Sequence, residues 1–282
     1  MKTEIMPDTK SVFPRGANAT HMPFFDGSTL VFSQGASPIE REFTCQGSIW
    51  KNLRHNPALA ERFRNLPRTQ KIRYRAWKLA YCEMEDKIVR SIITGLPANG
   101  IECSPSFYKE KDRVHLSFIG GTDSKAGIGY KLYTSSGPNL GQLEPVKPLF
   151  DQAIFFGFVS PHHVCWGAGN KINLKEKASG NIIHFVTDFN RIVRTSFLAE
   201  EPAKLLITGI GHERNYQTII YNLSDGNISQ VTIDDAVAVY KSTLHQNRLI
   251  AARKVGEGFE DRELFESEYT LSPSAIKMSK ED

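Results

Sequence analysis

Apolar side chains recur at alternate positions in short runs along most of this chain, and turn residues separate the runs. The clearest series lies in 101–149. A run at 105–108 enters a charged turn over 109–112. A second run at 114–119 (Val-His-Leu-Ser-Phe-Ile) meets a glycine-rich segment over 120–127. A third run occupies 129–134 and a fourth 141–149. Period-two alternation puts one side of each run into an apolar layer, which is the pattern of a half-buried strand. Tight turns between such runs predict antiparallel neighbours. Four in succession make one blade of a propeller.

The same grammar extends in both directions. Asp26-Gly27 stands between alternating runs at 18–25 and 28–33, and Asp-Gly in that setting is a strong hairpin signal. Strands resume at 77–82 and 88–93 and complete a first blade. A third blade is expected from 153–159, 163–166, 182–187 and 191–197. A fourth is expected from 204–208, 218–222 and 228–233, and a fifth from 236–240, 248–252 and 264–269. The fifth lacks a last strand in sequence order. Either 274–278 or the N-terminal run 2–6 can supply it, and the latter would close the ring. Five units of roughly 45–50 residues match propeller repeat lengths. One stretch breaks the rhythm. Over 38–72 the chain reads helical or irregular, with Asn56 as N-cap before a first-turn Pro57 and with Leu59 and Phe63 on one face. The expected plan is a single all-β domain over 1–282, a five-bladed β-propeller, with a small helical, basic insertion at 38–72 inside blade one. A β-sandwich is the rival, but its long Greek-key links find no room among these tight turns.

Composition adds boundaries. The chain has 282 residues, 40% hydrophobic and 10% aromatic, enough to bury a sizeable core and unlike a disordered chain. A net charge of +4 is too small to indicate nucleic acid, though it allows a local basic patch. No apolar run reaches the roughly 18 residues of a membrane helix, and 1–8 lacks the apolar core of a secretory signal. We therefore expect a cytoplasmic protein with no membrane insertion; a virion component would have the same sequence character. Cys45, Cys82, Cys103 and Cys165 form no CxxC pair, so reduced thiols are expected and no metal site. No motif calls for a cofactor. The glycine-rich segment lacks the spacing of a phosphate-binding loop and reads as a long hairpin loop.

The unit Glu102-Cys-Ser-Pro-Ser-Phe-Tyr-Lys-Glu-Lys-Asp-Arg-Val-His-Leu-Ser-Phe118 opens with an acid, reaches a proline and continues as an aromatic-rich alternating strand. It resembles the inner-strand opening of the five-bladed propeller superfamily of arabinanases, xylosidases, invertases and levansucrases. The resemblance is one of fold, and fold does not bring function with it. It implies an axial funnel at which the inner strands begin, with acids at several of their openings. Here Glu102, Asp151 and Asp235 stand at such openings. Blade one offers Asn18 and His21 instead, and the Asp-Pro signature of that superfamily is absent. Glycoside hydrolysis needs two carboxyl groups roughly 5–9 Å apart, so Glu102 with Asp151 or Asp235 is the candidate catalytic set. The plainer reading makes them turn and strand-edge acids in solvent. His21, His163 and Trp166 are candidate ligand-binding residues near strand ends, an indole ring being suited to a sugar face. His162 and His163, adjacent on a strand, point to opposite faces and do not share a metal.

The insertion concentrates positive charge, with Arg62, Arg64, Arg68, Lys71, Arg73 and Arg75 interleaved with Phe63 and Tyr74. It is either a solvated helix face or a docking element, and the low net charge favours a protein partner over nucleic acid. Taken together, the residues describe a non-catalytic or weakly catalytic recognition module that binds a carbohydrate-like ligand or a protein partner at its funnel face. The alternatives are a glycoside hydrolase with paired carboxylates in the funnel, and a structural assembly protein of a viral particle or large complex that forms oligomers through 38–72.

Overall fold

A computed structural model describes residues 21–35, 58, 61, 65, 77–96, 101–124, 127–212, 216–232, 243–246, 248–254 and 262–281. Its strands form a five-bladed propeller. Blade one runs outward through β1 (His21–Phe25), β2 (Thr29–Gly35), β3 (Trp77–Glu83) and β4 (Val89–Ser91). Blade two consists of β5 (Ile101–Glu110), β6 (Arg113–Ser124), β7 (Gly127–Gly137) and the two-residue β8 (Lys147–Pro148). Blade three consists of β9 (Phe156–Val159), β10 (His163–Ala168), β11 (Lys171–Glu176) and β12 (Ile182–Thr187). Blade four consists of β13 (Arg191–Phe197), β14 (Lys204–Ile210), β15 (Tyr216–Asn222) and β16 (Ile228–Thr232). The described part of blade five is β17 (Thr243–His245), β18 (Arg248–Lys254) and β19 (Arg262–Glu268). Pairing within each blade is antiparallel. A lone parallel bridge, Trp77 to Ile101, joins the first two sheets.

Blade five closes on blade one through side chains. Ile250 packs with Phe25, Leu30 and Phe32, and the Phe25 ring meets His245 edge-on at 5.0 Å. The turn that opens blade one forms as the sequence predicts. Asp26 Oδ1 accepts the amides of Ser28 and Thr29 at 2.9 and 2.8 Å, and Gly27 takes φ = 101°, a conformation that glycine adopts without strain.

Two short segments then run backward around the ring. β20 (Thr270–Pro273) pairs with β16 at the outer edge of blade four, and β21 (Met278–Glu281) pairs with β12 at the outer edge of blade three. Between them Ile276 is buried in the main core. The 274–278 segment is therefore not the last strand of blade five. Covering two exposed sheet edges in this way removes templates for pairing with other chains.

Three further expectations change. Lys171–Glu176 is a strand; with only Ile172 and Leu174 facing inward between lysines, its alternation is too short to stand out in the sequence. That extra strand fills blade three, so Arg191–Phe197 opens blade four instead of closing blade three. The glycine-rich segment is not a long loop: the β6–β7 ladder continues through it to a pairing of Ser124 with Gly127. The predicted helical basic insertion over 38–72 lies outside the described residues apart from Ala58, Glu61 and Asn65, all exposed. The runs 2–6 and 236–240 also lie outside them.

The centre of the ring is filled. Phe24, Phe107, Phe158 and Phe197 come from four different inner strands and are all buried. Their rings meet at 5.3 Å (Phe24–Phe107), 5.0 Å (Phe24–Phe197) and 5.4 Å (Phe158–Phe197), within the range of favourable aromatic pairs. Above this plug lies Arg194, fully buried, which donates to the carbonyls of Pro23 in β1 at 2.7 Å and Pro105 in β5 at 3.5 Å. The axial edge of an innermost strand has no neighbouring strand, so its carbonyls need other donors. It also tolerates proline, which lacks an amide hydrogen. Burial draws the Arg194 pKa down to about 9. The group still carries its charge at neutral pH.

Candidate axial site

Three of the inner strands break register at the same level. The irregularity falls between His21 and Phe24 in β1, between Cys103 and Ser106 in β5, and between Ile192 and Arg194 in β13. Ser104, inside the β5 irregularity, has φ = 52°. A bulge inserts an unpaired residue and re-aims the side chains around it. Here it lets Arg194 enter the axis while Arg191, Ile192 and Val193, just before it, line a cavity of about 490 Å³. The cavity opens where the inner strands begin, the face that the sequence singles out.

Its walls come from three blades. Blade two supplies Cys103 and Tyr130, the approach to blade three supplies Phe155, and blade four supplies Arg191 and Tyr216, over a floor that includes Ile119 and Ile192. Backbone hydrogen bonds within blade three and between it and its two neighbours hold these pieces together. The Ile154 amide donates to the Tyr130 carbonyl at 2.9 Å, and the Phe155 amide to the Gly167 carbonyl at 3.0 Å. The Ile192 amide donates to the Gly169 carbonyl at 2.7 Å. Tyr130 and Phe155 stand 5.8 Å apart, tilted by 48°, and Phe155 is 55% exposed. A phenylalanine left this open beside a second ring offers apolar surface to an incoming molecule.

The electrostatics have one sign. Arg191 is exposed and forms no ion pair with any described residue. Cys103 lies close enough to the buried Arg194 for a thiolate there to feel its charge. No carboxylate is among the described residues that line the cavity.

The sequence candidates fall elsewhere. Glu102 is 0% exposed and sits between β3 and β5. Its carboxylate accepts Lys78 Nζ at 2.6 Å, Thr94 Oγ1 at 2.7 Å and the Leu79 amide at 3.3 Å. Asp151 is fully exposed and pairs with Lys131 at 3.8 Å. Asp235 lies outside the described residues, as does the side chain of His21, the first residue of β1. Trp166 is buried, with its ring against Phe150 at 4.6 Å and in one cluster with Ile119, Leu132 and Ile154. It backs the cavity wall and does not face the opening. His163 starts β10, whose far end leads to Gly169 at the cavity; that is about 17 Å of strand away. Burial and the neighbouring His162 and Lys177 lower its pKa.

The residues that do line the cavity escape a search for acids and histidines. Cys103 and Tyr130 belong to strands the sequence identifies, but which face they take depends on the bulge. Tyr216 and Arg191 come from a blade whose first strand the sequence assigns to its neighbour.

No protein-family model matches the chain, and no curated protein matches it. Among solved structures, TolB from Acinetobacter baumannii is similar at a TM-score of 0.36 and 12% identity, with 72% of this chain and 62% of that one covered. A mutant apocarotenoid oxygenase of Synechocystis gives 0.38 and 9%, covering 70% and 55%. A bifunctional GH43-CE protein of Bacteroides eggerthii gives 0.36 and 13%, covering 95% and 37%. The chain thus spans less than two thirds of the length of each, and likeness at this level carries no functional argument. What fold and site define is a five-bladed propeller with a ligand-sized, aromatic and cationic cavity at its axial opening. No helix among the described residues is long and apolar enough to cross a membrane.

Proposed function

We propose that this propeller is a recognition module that takes a carbohydrate-like ligand in the axial cavity. The observation that supports it best is the convergence of Tyr130, Phe155 and Tyr216 around about 490 Å³, a volume inside the roughly 300–1,000 Å³ of small-molecule sites. Flat rings stack on the apolar faces of sugars, and a few polar groups among them fix orientation. The hydrolase reading has less behind it. Of its candidate acids, Glu102 is enclosed by Lys78, Thr94 and Leu79, while Asp151 is solvated.

The three described thiols provide the test. Cys103 is half-buried and lines the cavity, whereas Cys82 and Cys165 are buried. Burial pushes the Cys165 thiol up to about 12 and raises Cys82 as well. The thiolate is the reactive form, so at pH 8 Cys103 is expected to alkylate well before the other two, as read by peptide mass spectrometry. A bound oligosaccharide from a glycan library slows Cys103 alkylation selectively. Tyr130→Ala weakens its binding at least tenfold in a protein that stays folded, as read by circular dichroism. If library members that bind leave Cys103 labelling unchanged, the ligand sits elsewhere and the axial reading falls.

A further inference from the structure

We infer that the axial ligand is an acid, an anionic sugar such as a uronic-acid residue, and that Arg191 is the side chain that reads its carboxylate. This rests on the cavity being the ligand site, and it specifies the chemistry there.

Most described arginines of this chain have partners. Arg90 holds Asp86 at 2.6 Å, Arg113 holds Glu144, and Arg248 holds Glu266 at 3.1 Å. Arg194 is enclosed in the axis on backbone carbonyls. Arg191 differs from all of these. It is exposed, lies on the cavity lining and has no carboxylate among the described residues. Its backbone is fixed, being the first residue of β13 paired with Ile210, while the next amide is held by Gly169 at 2.7 Å. The guanidinium therefore projects from a rigid base.

With no acid among the described lining residues, Arg191 gives the cavity a positive potential, and the apolar walls lessen solvent screening. A guanidinium presents a planar fork that matches a carboxylate with two parallel hydrogen bonds. The tilted pair of Tyr130 and Phe155 supplies the ring face beside it. A neutral sugar would use the rings and leave the fork to water. An acidic sugar uses both.

The test compares an oligogalacturonate with its methyl ester, the same rings with the charge erased, by calorimetric titration at low salt. The intact chain is expected to bind the acid at least tenfold more tightly than the ester, with the preference shrinking as sodium chloride is raised. Arg191→Gln is expected to weaken acid binding at least tenfold and ester binding far less, so that the preference is lost while thermal stability is unchanged, and Arg191→Lys to restore part of it. Equal binding of acid and ester by the intact chain overturns the inference. So does an Arg191→Gln variant that loses both ligands alike. Binding of neutral library glycans without any acid preference removes this inference alone. Failure of every glycan, neutral or acidic, to protect Cys103 removes the cavity reading and this inference with it.

Discussion

Glu102→Ala is expected to destabilise the protein by about 3 kcal/mol, the lower end of what breaking a buried ion pair costs. The carboxylate is fully buried, and three donors from β3 and the segment beyond β4 converge on it. Its removal takes the carboxylate from Lys78, leaves the Thr94 hydroxyl hydrogen without its acceptor and orphans the Leu79 amide. Lys78 is 28% exposed and can turn toward water, which is why the upper end of the range does not apply. Glu102→Gln keeps the shape and one acceptor oxygen, so its loss should be about half as large. Chemical denaturation of the three proteins measures the series. The same pair separates structural from catalytic roles. If Glu102→Gln were as stable as the parent and yet abolished a glycoside hydrolysis that the parent performs, Glu102 would be an acid of the reaction and the interblade role assigned to it would be wrong.

Deleting 270–282 is expected to cost more, at least about 4 kcal/mol, and to make the protein aggregate on heating. Ile276 is 6% exposed and belongs to the main core; losing a buried isoleucine side chain alone costs about 2–5 kcal/mol. The deletion also strips the ladders of β20 on β16 and β21 on β12. It also removes the exchange in which the Lys277 amide donates to Asp188 Oδ1 at 3.0 Å and the Asp188 amide to the Lys277 carbonyl at 3.2 Å. The two bared edges then invite intermolecular pairing. Ile276→Ala separates the effects: it should lower stability by a similar order without promoting aggregation, because the edges stay covered. An unchanged melting temperature in the deletion would show that the backward-running segments contribute nothing to the fold.

Much of the architecture is legible in the sequence because propeller blades are built from local hairpins. The Asp26-Gly27 turn, the first three alternating runs of blade two and the inner strand around Phe156 and Phe158 fall where pattern and turn chemistry put them, whereas the fourth run, expected over 141–149, forms a strand only at Lys147–Pro148. The failures share a physical origin. β11 has too few apolar residues for its period to register, and skipping it shifts the blade boundary, so β13 is credited to the wrong blade. The backward path of β20 and β21 is a long-range pairing that leaves no local mark. The site fails by one residue. The sequence finds the opening of β5 and settles on its acid, but neighbours on a strand face opposite ways. Glu102 turns toward Lys78 between the blades, and Cys103 turns toward the cavity. Side-chain parity at a strand end depends on the bulge at Ser104 and Pro105, which only the folded chain reveals. Trp166 is misplaced for a related reason: a large aromatic is at home in a core, and here it forms the wall behind the cavity.

The closing of blades three and four by β20 and β21 has a consequence for biosynthesis. Thr187 pairs with Met278, so the outer edge of blade three stays bare until residues well beyond blade five have left the ribosome. Contacts this distant in sequence form slowly, and nascent chains that expose open edges are prone to misassembly. Chains stalled just short of Thr270 should therefore engage holdase chaperones more strongly than released ones, with the handover occurring as the last strands dock.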